Sequence, residues 1–250
     1  MIVLGSSALG KQRRRAIKVD EDIFYKGEWL ESGTDPDRSP TMFLVEQAPG
    51  VSLRAHFHAH NQFQLFVQGS GRIGSHAIRP LTVHYAGAYT GYGPLVAGAE
   101  GIFYFTLRAV FETGAFYMPE SRDKMIRGPK RQLTSDPVPP SDAASLAASK
   151  EMEVRDLISL QSDLIAAQML RLRPGGKAAA MDPKGSAGQY FVVTAGSLIY
   201  GATELTRWES LFASGDEAPV PLLAGAGGAE VVLLQLPVKA AQYRASSTAS

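Results

Sequence analysis

Short apolar or alternating runs, separated by turn residues, dominate the hydrophobic pattern of the chain. In the clearest run, QFQLFVQ at 62–68, Gln62, Gln64 and Phe66 share one face of a strand and the intervening apolar residues share the other. Runs rich in aromatic and β-branched residues are typical of β-strands. Further runs of this kind occur at 42–47, 53–59, 81–86, 102–108, 166–173, 189–195 and 230–236. Short strands at such spacing predict an all-β sandwich or barrel.

The chain contains an internal repeat. The segment PLVAGAEG at 94–101 returns as PLLAGAGG at 221–228, an offset of 127 residues. The same offset relates Gly69 to Gly196, and the pair Gln62-Phe63 to Gln189-Tyr190. A fixed offset across several landmarks indicates a duplicated structural unit.

The composition changes between the two copies. Residues 119–155 are rich in proline, serine and charged residues, which is typical of a linker. We therefore predict one domain at 1–118, the linker at 119–155, and a second domain at 156–250.

Composition and charge exclude several classes of protein. Because 25 Lys and Arg face 24 Asp and Glu, no overall charge favours a nucleic-acid partner. No apolar run reaches the roughly 18 residues of a membrane span. There are no cysteines, which excludes disulfides and thiolate metal sites. We expect a cytoplasmic protein that contacts a small molecule, with no nucleic-acid or membrane partner.

All five histidines lie between residues 56 and 84. His56 and His58 are two positions apart, so a strand would place both imidazoles on one face. Neutral imidazoles are common ligands of divalent transition metals. His84 and Tyr92 are the candidates to complete such a site from other strands. The alternative for His84 is a buried histidine satisfied by hydrogen bonds. Arg54 and Arg108 flank apolar strand segments, where either could hold a carboxylate, but surface exposure is favoured.

The spacing around these histidines resembles the first motif of the cupin family. Gly50 is followed by five residues, His56-Phe57-His58, three residues, Gln62, six residues and Gly69. Every spacing is similar to that motif, but Gln62 stands where the family usually has glutamate. The resemblance implies double-stranded β-helix (jelly-roll) barrels, and the repeat implies a bicupin. The second copy is degenerate, since the equivalents of His56 and His58 fall near Met181 and Pro183.

The resemblance also implies a function. It implies a divalent metal ion (Fe, Ni, Mn or Zn) held by His56, His58, Gln62 and His84, with Tyr92 and His84 as catalytic candidates. The leading expectation is an oxygenase acting on a small aromatic or dicarbonyl compound, although the family also includes isomerases and lyases. A homodimer is expected by the same resemblance. The alternatives are a non-catalytic bicupin that binds a small ligand or a metal in a scaffold or sensing role, and a Gln62 amide that only hydrogen-bonds within the barrel.

Overall fold

The computed structural model of the chain describes residues 1–112 and 114–244. Antiparallel strands form most of its regular structure, so the predicted all-β fold class is confirmed. The strands of the described residues are β1 Ile2–Gly5, β2 Arg15–Val19, β3 Asp22–Glu28, β4 Thr41–Gln47, β5 Ser52–Leu53, β6 His56–Phe57, β7 Gln62–Ile73, β8 His76–Ile78, β9 Val83–Ala86, β10 Leu95–Arg108, β11 Phe116–Tyr117, β12 Gln132–Thr134, β13 Glu153–Ile158, β14 Ala166–Leu172, β15 Lys177–Ala179, β16 Gly188–Tyr200, β17 Thr203–Leu205, β18 Ser210–Ser214 and β19 Pro221–Leu236.

Helices are few and short. They are α1 Ser7–Gln12, α2 Ala143–Ala148, α3 Ala241–Arg244 and a 3₁₀ turn at Arg122–Lys124. None of the helices in the described part of the chain is long and apolar enough to cross a membrane.

The chain divides into two compact units. The first unit comprises Gly10–Glu28, Ser32–Val138 and the segment that follows Pro237. Its main sheet has the strand order β12-β9-β7-β10-β4-β3-β2, while β6 and β11 form a separate two-stranded ribbon. The inward face of β7 carries Gln62, Gln64 and Phe66, all of them buried. The pattern read from the sequence therefore puts two amides inside this unit.

The second unit comprises Met1–Leu9, Trp29–Glu31 and Pro139–Pro237. Its sheet has the order β1-β18-β16-β19-β14-β13. The interior is an apolar core in which fully buried side chains of the long strands meet, among them Phe191, Leu211 and Leu233. Burial of such side chains stabilises the unit by roughly 1.5–3 kcal/mol each.

The unit boundaries differ from the predicted domains. Strand β1 pairs with β18, with Ile2 opposite Ala213, so the start of the chain belongs to the second unit. The predicted linker is also divided, because β12 pairs with β9 and β13 pairs with β14. These are edge strands held by backbone hydrogen bonds, and their exposed polar residues give no apolar pattern to detect.

The two copies share a backbone feature that explains their glycines. Gly69 has φ +76° and Gly196 has φ +67°, in the left-handed region. A Cβ at Gly69 would lie 2.0 Å from the carbonyl oxygen of Gly101, and one at Gly196 would lie 2.1 Å from that of Gly228. Only glycine fits such an approach between the two long strands. The 127-residue repeat therefore corresponds to a repeated three-dimensional feature.

We expect Gly196→Ala to destabilise the protein by about 3 kcal/mol, because the new Cβ meets backbone in an already strained conformation. Gly201→Ala is the matched control, since Gly201 has φ +59° but nothing within 4 Å of its Cβ position. Its cost is about 1 kcal/mol from the conformation alone. Urea unfolding of the two variants measures the difference, and equal losses would contradict the close-approach explanation.

Candidate functional site

Two imidazoles enter the interior of the first unit from β6 and the residue after it. His56 and His58 are buried, and Phe57 between them stacks on Phe116 with ring centres 5.0 Å apart. The two histidine rings are perpendicular, with centres 5.3 Å apart. The structure thus brings the predicted histidine pair together, as alternation along an extended segment requires.

A chain of hydrogen bonds connects these histidines to the neighbouring strands. Nδ1 of His56 donates to the carbonyl oxygen of Arg54 at 2.7 Å, which leaves Nε2 to accept from the Tyr92 hydroxyl at 2.7 Å. The Tyr92 oxygen accepts from Nε2 of Gln62 at 2.5 Å. Oε1 of Gln62 in turn accepts from Nη2 of Arg108 at 2.7 Å and from its Nε at 3.1 Å. Each of these polar atoms therefore has a protein partner.

Arg108 and Glu112 form a buried ion pair beside the histidines. Nε of Arg108 lies 3.3 Å from Oε2 of Glu112, and Nη2 lies 3.2 Å from Nε2 of His58. The backbone N–H of Ala59 donates to Oε1 of Glu112 at 2.6 Å. Nδ1 of His58 is 3.0 Å from the carbonyl oxygen of Gly114, to which it donates. The charges are thus compensated by each other and by fixed hydrogen bonds.

The expectation that Arg108 is exposed is wrong, because its exposed fraction is 2%. The repeat places a polar residue at the position equivalent to Arg108. The 127-residue offset takes Arg108 to Gln235, whose Oε1 accepts a hydrogen bond of 2.8 Å from Gln189. In both copies, therefore, the glutamine at the start of a long strand is bonded to a polar residue of the strand beside it. Glu112 lies in no recognisable motif, so nothing in the sequence indicated that it belongs to the site.

Burial decides the protonation of the site. It lowers the pKa of His56 to about 3, and together with the charge of Arg108 it lowers that of His58. It raises the pKa of Tyr92 well above the ordinary value. Burial alone would raise the pKa of Glu112, but His58, whose Nδ1 lies 3.4 Å from Oε2 of Glu112, and the charge of Arg108 hold it at about 2. At neutral pH the site contains uncharged rings beside one guanidinium–carboxylate pair.

The two catalytic candidates have different surroundings. The hydroxyl of Tyr92 is engaged by His56 and Gln62, as described above. His84 lies on β9, where Nδ1 is 2.8 Å from the hydroxyl of Thr134, and its ring centre is 5.4 Å from that of Tyr92. Nε2 of His84 is buried and has no hydrogen-bond partner among the described residues. Burial lowers the pKa of His84 to about 3.

The residues of this site do not fit a divalent metal ion. The described residues include no group of three or more His, Asp or Glu side chains placed to hold one. Nε2 of His56 and Oε1 of Gln62 already accept hydrogen bonds. A metal ion at these atoms would have to displace both hydrogen bonds, and it would lie beside the guanidinium that donates one of them.

A cavity of about 230 Å³ adjoins this network. One part of its lining is polar and includes His56, His58, Gln64 and Arg108. The rest is largely apolar and aromatic. The lining is completed by Ile17, Val19, Phe24, Tyr25, Lys26, Phe43, Val45, Leu53, Tyr92, Tyr104, Thr106, Glu112, Gly114, Ala115 and Tyr117.

Comparison with solved structures identifies the fold. The chain is similar to a candidate dioxygenase from Nostoc punctiforme, with 11% identity, a TM-score of 0.60, and coverage of 96% of this chain and 81% of that one. It is similar to an oxalate decarboxylase–formate complex from Lactobacillus farciminis, with 10% identity, a TM-score of 0.59, and coverage of 95% and 87%. The pirin YhhW of Escherichia coli, solved with nickel(II), gives 11% identity, a TM-score of 0.55, and coverage of 95% and 99%.

These likenesses show the cupin-type jelly-roll fold that the histidine motif predicted. No protein-family model and no curated protein sequence matches the chain. At 10–11% identity the structural neighbours establish the fold alone. The number of barrels, the site residues and the dimer therefore stay predictions.

Proposed function

We propose that the cavity of the first unit binds a small organic acid without a metal ion. The observation that carries this proposal is the position of Arg108, whose guanidinium donates to Gln62 and contacts His58. Both residues are predicted metal ligands. A guanidinium in that place supplies positive charge through the protein itself and binds carboxylates well.

A second cation favours an anionic ligand. Lys26 lines the cavity, and its ammonium lies 3.8 Å from the centre of the Phe43 ring, while the Arg108 guanidinium lies 5.5 Å from the same centre. Burial lowers the pKa of Lys26, the charge and hydrogen bond of Glu28 oppose this shift, and the charges of Arg15 and Arg108 lower the pKa by smaller amounts. Each cation has one carboxylate partner, Glu112 for Arg108 and Glu28 for Lys26, and a bound carboxylate would accept hydrogen bonds from their remaining donors. Glu112 is the one carboxylate in the described lining.

The rest of the lining indicates the body of the ligand. Val45, Leu53, Tyr104 and Tyr117 present apolar and aromatic surface. The volume of about 230 Å³ is below the roughly 300 Å³ at which drug-sized ligand sites begin. A monocarboxylic acid with a compact aromatic or aliphatic body suits this cavity.

Calorimetric titration with benzoate, cinnamate and hexanoate tests the proposal. We expect at least one of the three to bind, and Lys26→Met to weaken that binding about tenfold at low salt, because one of two converging cations is lost. Arg72→Met is the matched control, since it removes an exposed cation from the same unit. Failure of all three acids to bind, or equal effects of the two variants, would overturn the proposal.

Metal analysis of untagged protein tests the competing prediction of a metal-dependent oxygenase. We expect less than about 0.1 equivalent of Fe, Ni, Mn or Zn per chain, before and after reconstitution, because the atoms that would bind the metal already accept hydrogen bonds from the protein. One equivalent that disappears in His56→Ala/His58→Ala would restore the metalloenzyme. In that case oxygen uptake with aromatic and dicarbonyl substrates becomes the next measurement.

A further inference from the structure

A row of polar side chains crosses the sheet beneath the cavity. In strand register, Thr134 of β12 lies opposite His84 of β9, His84 opposite Gln64 of β7, and Gln64 opposite Thr106 of β10. Directly opposite residues on neighbouring strands have Cβ atoms about 4.5–5.5 Å apart, so these side chains meet. Gln64 and Thr106 line the cavity. Gln64 and Thr106 are therefore within reach of anything bound there, and His84 is the neighbour of Gln64 in the row.

Two atoms of this row lack hydrogen-bond partners among the described residues. They are Oε1 of Gln64 and Nε2 of His84. Both side chains are 2% exposed. Buried polar atoms are normally paired, and an unpaired one destabilises a fold, so this pair of neighbours calls for an explanation. The remaining polar atom of the His84 ring, Nδ1, is satisfied by Thr134.

The second unit shows that the fold itself does not require this row. The 127-residue offset takes Gln64 to Phe191, His84 to Leu211 and Thr106 to Leu233. These equivalents have the same register, with Phe191 opposite both Leu211 and Leu233. All three are fully buried in an apolar core. The same three positions thus pack well without any polar atom, which points to a role for the polar row in binding.

We propose that Gln64 and His84 recognise a hydroxyl group on the bound acid, so that the ligands of this cavity are hydroxylated carboxylic acids. This inference rests on the proposed function. Oε1 of Gln64 only accepts, so the ligand atom must donate a hydrogen. When the Thr134 hydroxyl donates to Nδ1 of His84, Nε2–H is the donor. A hydroxyl that donates to Gln64 and accepts from His84 satisfies both atoms, which neither a carboxylate nor an ammonium does.

Three matched pairs of acids test the inference. They are benzoate with 4-hydroxybenzoate, cinnamate with 4-hydroxycinnamate, and hexanoate with 6-hydroxyhexanoate. We expect at least one hydroxylated acid to bind the wild-type protein about tenfold more tightly than its partner. Gln64→Met and His84→Leu should abolish that preference, so that the two acids of the pair bind within about twofold of each other. The Leu variant copies the residue that the second unit has at this position.

Two further measurements separate binding from folding. The melting temperature of Gln64→Met should equal or exceed that of wild type, because an unpaired acceptor is removed. In NMR spectra, the His84 side-chain resonances should shift with the hydroxylated acid and less with its partner. A lower melting temperature would show that Gln64 is structural and overturn the inference.

The outcomes distinguish hydroxyl recognition from the proposal of acid binding on which it rests. Equal affinities within every pair overturn hydroxyl recognition and leave acid binding intact. A preference that survives in both variants overturns it as well. Tighter binding of 6-aminohexanoate than of 6-hydroxyhexanoate would replace the hydroxyl with an amine. If no acid binds at all, acid binding and hydroxyl recognition fail together.

Discussion

Lowering the pH from 7 to 5 is expected to reduce the free energy of unfolding by about 4 kcal/mol, because two buried histidines cannot take up protons in the folded state. Burial lowers the pKa of both His56 and His84 to about 3. In the unfolded chain the same groups titrate near 6.5. The unfolded state therefore binds more protons throughout this range, at a gain of about 2 kcal/mol for each histidine at pH 5.

The sign of this effect is fixed by the direction of the shifts. The stability contributed by a neutral buried imidazole is complete above pH 6.5 and is lost as the pH falls from there toward 3. Glu112, whose pKa is held at about 2, extends the loss below pH 4.5. His58, whose pKa is also lowered, acts in the same direction as His56 and His84.

Urea unfolding at pH 7, 6 and 5, at constant ionic strength, measures this dependence. The slope of the free energy of unfolding against pH should correspond to about two protons or more taken up on unfolding. In His84→Leu the slope should fall by about one proton. A flat profile between pH 7 and 5 would contradict the neutral, buried state of these rings.

Arg108→Met is expected to destabilise the protein by about 3–5 kcal/mol, because it leaves a buried carboxylate without its cation. Glu112 lies 3.3 Å from Arg108, and Gln62 loses the two donors that its Oε1 accepts from. Arg108→Lys keeps the charge but not the fork of donors, so a smaller loss is expected.

The double variant Arg108→Met/Glu112→Gln provides the control for this effect. Once both charges are gone, no unpaired buried ion remains, and the loss should shrink to about 2 kcal/mol or less. Chemical unfolding of the single and double variants gives the coupling energy. If the loss of unfolding free energy in the double variant equals the sum of the losses in the two single variants, Arg108 and Glu112 do not act as a pair.

Much of the fold was predictable from the chain because its signals are local. The run at 62–68 lies within β7, and the run at 230–236 lies within β19. The run predicted as a strand at 53–59 is instead divided between Ser52–Leu53 and His56–Phe57. Pairing with two different partners, β10 and β11, interrupts it. Local pattern gives no information on which partner a strand takes.

The site was predictable only in part for the same reason. The histidine spacing predicted that His56 and His58 lie on one face, and the structure brings the two rings together. The burial of Arg108 depends on a strand pairing that joins residues 46 positions apart. No window of sequence reports such a contact. The second unit has the corresponding contact, between Gln189 and Gln235 at the equivalent positions.

The two ends of the chain are exchanged between the units. Strand β1 completes the sheet of the second unit, and the segment after Pro237 belongs to the first. A cut between residues 138 and 139 would therefore yield two fragments. Each fragment would lack a segment that belongs to its unit in the intact protein. The C-terminal fragment would expose the unpaired edge of β18, which is a template for aggregation. Neither unit is therefore expected to fold by itself, and experiments on the first unit require the whole chain.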